Sequence, residues 1–150
     1  MEKEYTCEVY AKWKEKKMGV ISFEDSKKKK ISYSVPPEYM GHCHEITPED
    51  LFLASLQTCL SSFFFNMASR ARLKFISFDS CARGILKKVG DDIIFSDIIL
   101  NVYISVKNEK EAHKAKRAME IAERGCYISH SIKAKVIINT NIKLIKKEEN

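Results

Sequence analysis

The chain has 150 residues, of which 45% are hydrophobic, and its 26 basic and 20 acidic side chains give a formal net charge of +6. This length and apolar fraction exclude a disordered chain and predict a single domain over residues 1–150. Five cysteines without a C-x-x-C pair follow an N-terminus that lacks an apolar stretch, which argues against a secreted disulfide framework. We therefore expect a cytoplasmic protein with reduced thiols.

The positive charge comes mainly from lysines that are scattered over the whole chain. Nucleic-acid binding favours a clustered basic face with interleaved aromatic residues, so we expect no nucleic-acid partner. The densest basic run, residues 27–30, is typical of a solvated turn. Polar residues interrupt each apolar run before it approaches the roughly 18 residues of a membrane span, so we also expect no membrane partner.

Short strand-like segments fill the first part of the chain and predict a β-meander. They cover residues 5–13, 19–24 and 30–35, with Gly19 and the charged residues 25–30 as punctuation. The next element is a helix. Thr47 suits the N-cap, Pro48 suits the first helical position, and two acidic residues follow, so the helix is predicted to begin at 47 or 48.

Residues 51–68 are apolar nearly all the way round, which is typical of a buried helix rather than a surface helix. Residues 74–89 and 93–106 then predict a long hairpin around Gly90. Residues 109–124 return to the helical period with a stripe of mostly small side chains, which suggests close packing on a sheet. That stripe consists of Ala112, Ala115, Met119 and Ala122.

Gly125 is predicted to end this second helix in a left-handed cap, and residues 136–145 form a last alternating strand. The element order predicts an α+β fold with antiparallel sheet. A helix as apolar as residues 51–68 is hard to cover in a 150-residue monomer, so a two-fold homodimer is expected to bury it.

Two cysteines lie on rigid predicted elements, Cys59 in the apolar helix and Cys126 directly after Gly125. Thiol redox chemistry needs such a pair, because one thiolate becomes a sulfenic acid and a second thiol condenses with it. A buried free cysteine is also an ordinary core residue, so the pair alone leaves both interpretations open.

The segments Thr47–Ala54, Thr58–Leu60 and Ala122–Ser129 together resemble the OsmC/Ohr family of osmotically inducible and organic hydroperoxide resistance proteins. The resemblance covers nearly the whole chain. It implies an OsmC-like fold, with antiparallel sheets around a long buried central helix, in an intertwined homodimer with two active sites at the subunit interface.

The resemblance also implies a thiol-dependent peroxidase for organic hydroperoxides that uses no metal, haem or flavin cofactor. Cys59 would be the peroxidatic cysteine, Cys126 the resolving cysteine, and Glu49 part of a polar network. A dithiol reductant such as a lipoyl protein would reopen the disulfide. Ten residues of helix span about 15 Å, so Glu49 needs an intermediary, a bend or the partner subunit to act on Cys59.

Two departures from the family pattern concern the site. The family's peroxidases use an arginine of the N-terminal strands to stabilise the thiolate, whereas the first arginine here is Arg70. A lysine or Arg124 would have to replace it, and the candidate lysines are Lys14, Lys16 and Lys17. Tyr127 also stands after Cys126, where the family commonly has proline.

The peroxidase hypothesis predicts a Cys59 pKa lowered by a nearby positive charge. Its rival is a redox-inactive OsmC-like module that binds a small hydrophobic ligand at the dimer interface. The loop residues His42, Cys43 and His44 lack the fourth ligand of a closed zinc site, so we expect a polar loop rather than a metal site. Cys7 and Cys81, in strand-like segments, are predicted to be core residues.

Overall fold

The computed structural model describes residues 3–145, and this part of the chain has an α+β architecture, as predicted. The strands are β1 (Val9–Glu15), β2 (Met18–Phe23), β3 (Ile31–Ser34), β4 (Phe75–Val89), β5 (Asp92–Val106) and β6 (Lys135–Leu144). The helices are α1 (Pro48–Arg70), α2 (Glu109–Gly125) and α3 (Tyr127–Ser131), with a 3₁₀ turn over Pro37–Tyr39. Contacts divide the chain into two units, one ending at Phe52 and the other beginning at Leu53. The single domain over residues 1–150 stays a prediction.

The first unit contains the predicted antiparallel meander, with strand order β1-β2-β3. Its first turn is made by Lys16, which adopts a positive φ of 44°. Gly19 was expected to separate strands, and this prediction is wrong because Gly19 lies inside β2, opposite Trp13. A Cβ at Gly19 would lie 2.5 Å from the Tyr33 hydroxyl, so the glycine makes room for that ring.

The start of α1 confirms the predicted cap. The Asp50 amide donates to Thr47 Oγ1 at 3.3 Å, and Asp50 Oδ2 accepts from the Thr47 amide at 2.9 Å. This reciprocal pair is a capping box in which aspartate takes the place of the usual glutamate. It satisfies amides that the first helical turn leaves without partners, so the sequence signal has a direct physical basis.

The second unit contains the predicted β4–β5 hairpin, in which Gly90 adopts a φ of 63°. The prediction of antiparallel pairing throughout is wrong for β6, which pairs with β5 in parallel. The register runs from Asp97 opposite Lys135 to Val106 opposite Leu144. The reason is the 17-residue α2, which carries the chain about 25 Å back along β5. The last strand therefore starts near the beginning of β5 and runs in the same direction.

One face of β5 forms the core of the second unit, since alternate residues from Ile98 to Val106 are buried. The stripe on α2 packs on β5 and β6 as predicted, with Ala115, Met119 and Ala122 buried. On α1, the Phe64 ring stacks on Phe78 of β4 with centroids 4.8 Å apart. The two helices α1 and α2 cover one face of the sheet formed by β4, β5 and β6.

Helix α1 is only partly covered in the single chain. Leu56, Leu60 and Phe64 are buried, whereas Phe65 is exposed. By length and composition α1 could cross a membrane, since it has 23 residues and a mean hydropathy of 1.3. The expectation that no apolar run reaches that length is therefore wrong, because Ser, Thr and Asn lower the hydropathy of the helix only slightly. The core helix of a globular protein meets the same criterion.

Candidate functional site

The structure brings Cys59 and Cys126 together. Cys59 lies on α1 and is 9% exposed, while Cys126 lies between α2 and α3 and is fully buried. The Cys126 thiol is close enough to Cys59 to act directly on its ionisation, and both are free thiols. Neighbouring thiols are the arrangement from which a disulfide can form.

The surroundings of Cys59 hold its pKa above the ordinary value of a thiol. Burial is the main cause, and the neighbouring Cys126 thiol acts in the same direction. Backbone hydrogen bonds from Ile128 and Tyr127 oppose the shift because they favour the thiolate. No cation is among the dominant influences. The expected lowering of this pKa by a positive charge is therefore wrong for the single chain.

In the turn that carries Cys126, the backbone of Gly125 packs closely against the Phe63 ring. Gly125 ends α2 as predicted, but its φ is not positive, so the predicted left-handed cap is wrong. A Cβ on Gly125 would lie 2.7 Å from the Phe63 ring. The glycine therefore serves packing rather than backbone conformation, and it lets α1 approach the turn.

Hydrogen bonds hold the other side of this turn. The Cys126 carbonyl accepts from Ser129 Oγ at 2.7 Å and from the His130 amide at 3.4 Å. The Tyr127 side chain is 64% exposed, and its ring meets Phe63 edge-on with centroids 5.8 Å apart. Cys126 is thus fixed between a short helix and an aromatic contact.

Glu49 lies in the first turn of α1, where Asp50 and not Glu49 makes the capping interaction. Its Oε2 atom is buried and has no hydrogen-bond partner among residues 3–145. A buried carboxylate oxygen normally has a donor. The interpretation of Glu49 as a simple helix-start carboxylate therefore leaves this oxygen unexplained.

The basic residues that are candidates to replace the family's arginine lie at different places in the structure. Lys14 lines a groove of about 500 Å³ beside Trp13 on the first sheet. Lys16 forms the turn after β1, and Lys17 Nζ donates to the Tyr39 carbonyl at 2.7 Å. Arg124 lines a different pocket, of about 420 Å³, together with Glu120, Glu123 and His130. Whether one of them takes the arginine's role stays a prediction.

The loop with two histidines is shaped by local hydrogen bonds. The His42 amide donates to the buried Ser34 Oγ at 2.9 Å, and His44 adopts a positive φ of 67°. In the described range, 3–145, no group of three or more His, Cys, Asp or Glu side chains is placed to hold a metal ion. The hydrogen bond to Ser34 gives the backbone of this loop a structural role.

Cys7 and Cys81 are exposed, so their predicted place in the core is wrong. Cys81 pairs with Asn101 of β5, whose neighbours Leu100 and Val102 point to the core. Because successive side chains of a strand alternate between faces, Cys81 points away from the helices. The alternation alone could not identify which face of β4 would be covered.

Sequence reasoning missed the aromatic side of the site. Phe63 follows Cys59 by four residues, which is one helical turn and places the two on the same side of α1. That spacing was a usable signal, but the partners of Phe63 are Gly125 and Tyr127, far along the chain. Only the folded structure brings these residues to Cys59.

Solved structures support the fold over almost the full chain. An OsmC-like protein of unknown function from Vibrio cholerae superposes with a TM-score of 0.77 and 20% identity, over 91% of this chain and 99% of that one. An organic hydroperoxide resistance protein from Elizabethkingia anophelis superposes with a TM-score of 0.69 and 17% identity, over 97% of this chain and 100% of that one. The organic hydroperoxide resistance protein OsmC from Legionella pneumophila superposes with a TM-score of 0.66 and 18% identity, over 95% of this chain and 100% of that one.

These identities establish a shared fold and nothing finer. No curated protein sequence matches the chain at a significant level. The sequence profile of the family described as OsmC-like protein matches residues 41–141, which include both buried cysteines and Glu49. On this match, together with its fold, the chain belongs to the OsmC-like protein family.

Proposed function

We propose that this chain is a thiol-dependent peroxidase that reduces organic hydroperoxides through Cys59 and Cys126. The observation that carries the proposal is the close approach of these two buried thiols inside an OsmC-like fold. Two solved structures with this fold are named organic hydroperoxide resistance proteins, which supports the substrate class.

The two cysteines are oxidised in two steps and are then reduced by a dithiol. The Cys59 thiolate attacks the distal oxygen of the hydroperoxide, the O–O bond breaks, and the alkoxide leaves with a proton as the alcohol. Cys59 is then a sulfenic acid. The Cys126 sulfur attacks it, and a disulfide forms as water leaves. A dithiol such as a lipoyl protein returns both cysteines to thiols and is itself oxidised to a disulfide.

The backbone amides that donate to Cys59 suit these reaction steps. The amides of Tyr127 and Ile128 favour the thiolate as it forms, while burial keeps the resting sulfur mostly protonated at neutral pH. The reaction would then proceed through a minor thiolate fraction and accelerate as the pH rises. Neither step requires a metal or an organic cofactor.

The assembly we propose is a homodimer. The exposed Phe65 of α1 and the exposed Val9 and Trp13 of β1 are large apolar side chains that a second copy would cover. A second copy could also supply the missing donor to Glu49 Oε2, which gives Glu49 its proposed place in the site's polar network. We further propose a cytoplasmic location, with no nucleic-acid or membrane partner.

The test uses one equivalent of cumene hydroperoxide on the fully reduced protein, followed by thiol counting and peptide mapping by mass. We expect the rapid loss of two thiols and recovery of a Cys59–Cys126 linked peptide. The Cys59→Ser variant should lose none of its four remaining thiols rapidly, whereas Cys81→Ser, which removes an exposed thiol, should lose two thiols like the unmodified protein. Five unreacted thiols would reject the proposal.

The alternative is a redox-inactive module that keeps the fold and binds a small hydrophobic ligand. The raised pKa of Cys59 favours this alternative, because it lowers the thiolate fraction. Multiple turnovers of cumene hydroperoxide with a dithiol donor and substoichiometric protein would reject it.

A further inference from the structure

An aromatic contact connects α1, which carries Cys59, to α3, which begins directly after Cys126. The Phe63 ring lies edge-on to Tyr127 with centroids 5.8 Å apart and an interplanar angle of 73°. Phe63 is one helical turn after Cys59 on α1, and Tyr127 directly follows Cys126 in the chain. The contact therefore joins the residues adjacent to both sulfurs.

Gly125 makes this contact possible from the other side. Its missing side chain leaves space for the Phe63 ring, which lies 2.7 Å from the position a Cβ would occupy. Since the φ of Gly125 is not positive, other residues could adopt its backbone conformation, and only the packing requires glycine. Phe63 thus contacts the residues immediately before and after Cys126.

We propose that Phe63 and Tyr127 are positioning residues that hold the Cys126 turn against α1 and so set how fast Cys126 resolves oxidised Cys59. Tyr127 is 64% exposed, so little of its surface contributes to the core. This inference rests on the proposed function for its catalytic meaning. The positioning itself is a property of the folded chain and can be measured without peroxide.

The role has a chemical consequence for the sulfenic acid. Resolution joins the Cys59 and Cys126 sulfurs and releases water. A second hydroperoxide molecule can instead transfer an oxygen to the sulfenic acid, which gives sulfinic acid and an alcohol. The two fates compete, so a turn that is held less firmly gives less disulfide and more sulfinic acid when hydroperoxide is in excess.

The first measurement is the thiol–disulfide equilibrium of Cys59 and Cys126 with reduced and oxidised glutathione. It gives the effective concentration of one thiol at the other. We expect Tyr127→Ala to lower this value by about threefold to tenfold, the range expected for loss of an edge-on aromatic pair. Tyr127→Phe keeps the ring and should restore it. Tyr103→Ala removes another exposed tyrosine of the same unit and should leave it unchanged.

The second measurement follows the same variants after addition of excess cumene hydroperoxide. Tyr127→Ala should accumulate more sulfinic acid at Cys59 than the unmodified protein, as detected by mass. Gly125→Ala, whose new methyl group would displace the Phe63 ring, should do the same. Circular dichroism checks that each variant is folded.

The outcomes separate this inference from the proposed function. An unmodified protein that forms the disulfide with peroxide, beside a Tyr127→Ala variant that matches it in both measurements, overturns the inference alone. An unmodified protein that loses no thiol to peroxide overturns the proposed function, and the glutathione equilibrium then still decides the positioning role. If Tyr103→Ala and Tyr127→Ala changed the glutathione equilibrium equally, the positioning role of Tyr127 would also be overturned.

Discussion

Each unit of the chain contains one three-stranded sheet, and the two sheets differ in how far their side chains are buried. Each has three strands, but every residue of β1 is exposed, whereas alternate residues of β5 are fully buried. A three-stranded sheet needs a covered apolar face to be stable. The second unit supplies this cover from its own helices, and the first unit has only a few buried side chains, among them Met18 and Ser34. The comparison indicates that the first sheet is completed by another surface.

The largest predicted effect tests the self-sufficient core of the second unit. Leu100 is fully buried in the middle of β5, so Leu100→Ala removes packing and leaves a cavity. We expect the free energy of unfolding to fall by about 2–5 kcal/mol, as for other buried leucines. Urea denaturation followed by circular dichroism measures it. A loss below 1 kcal/mol would mean that the second unit does not depend on this core.

A smaller effect is expected for the first unit, and it concerns association. The Trp13 ring is 72% exposed, and its indole N–H donates to the Lys16 carbonyl at 3.0 Å, which fixes its position. If a second copy covers this face, Trp13→Ala should weaken the dimer about tenfold or more, because tryptophan often dominates interfaces.

Sedimentation equilibrium across protein concentrations measures this association, and Tyr39→Ala, which removes another exposed ring of the same unit, is the matched control. Circular dichroism should show both variants folded. A dimer of unchanged strength in Trp13→Ala would place the covering surface elsewhere and break the comparison between the two sheets.

The sequence predicted features that depend on neighbouring residues. The helix start at Thr47, the turn at Gly90 and the small stripe on α2 follow from side chains that act within a few positions. The parallel pairing of β6, the exposure of Cys81 and the packing role of Gly125 depend on residues distant in sequence. Local propensity carries no information about those partners.

The same distinction applies to the site. Cys59 and Cys126 were chosen by resemblance, and the structure brings them together, but the direction of the Cys59 pKa was wrong. That direction depends on how deeply the folded chain buries the thiol and on which charges surround it. The candidate cations were lysines of the first unit and Arg124 of the second, whereas the groups that act most strongly on Cys59 in the structure are the Cys126 thiol and the backbone of Tyr127 and Ile128.

The smallest expected effect is a shift in the ionisation of Cys59, and it tests whether the second unit acts alone at the site. Because burial raises the pKa of the thiol, the thiolate forms only as the pH rises above the ordinary thiol pKa of about 8.5. Site-resolved alkylation by iodoacetamide, quantified by mass, should therefore give Cys59 a midpoint above that of a free peptide thiol. The rate of peroxide-dependent thiol loss should rise through the same pH range, since thiolate is the nucleophile. A midpoint below that of the peptide would show that a positive charge acts on Cys59 and would contradict this prediction.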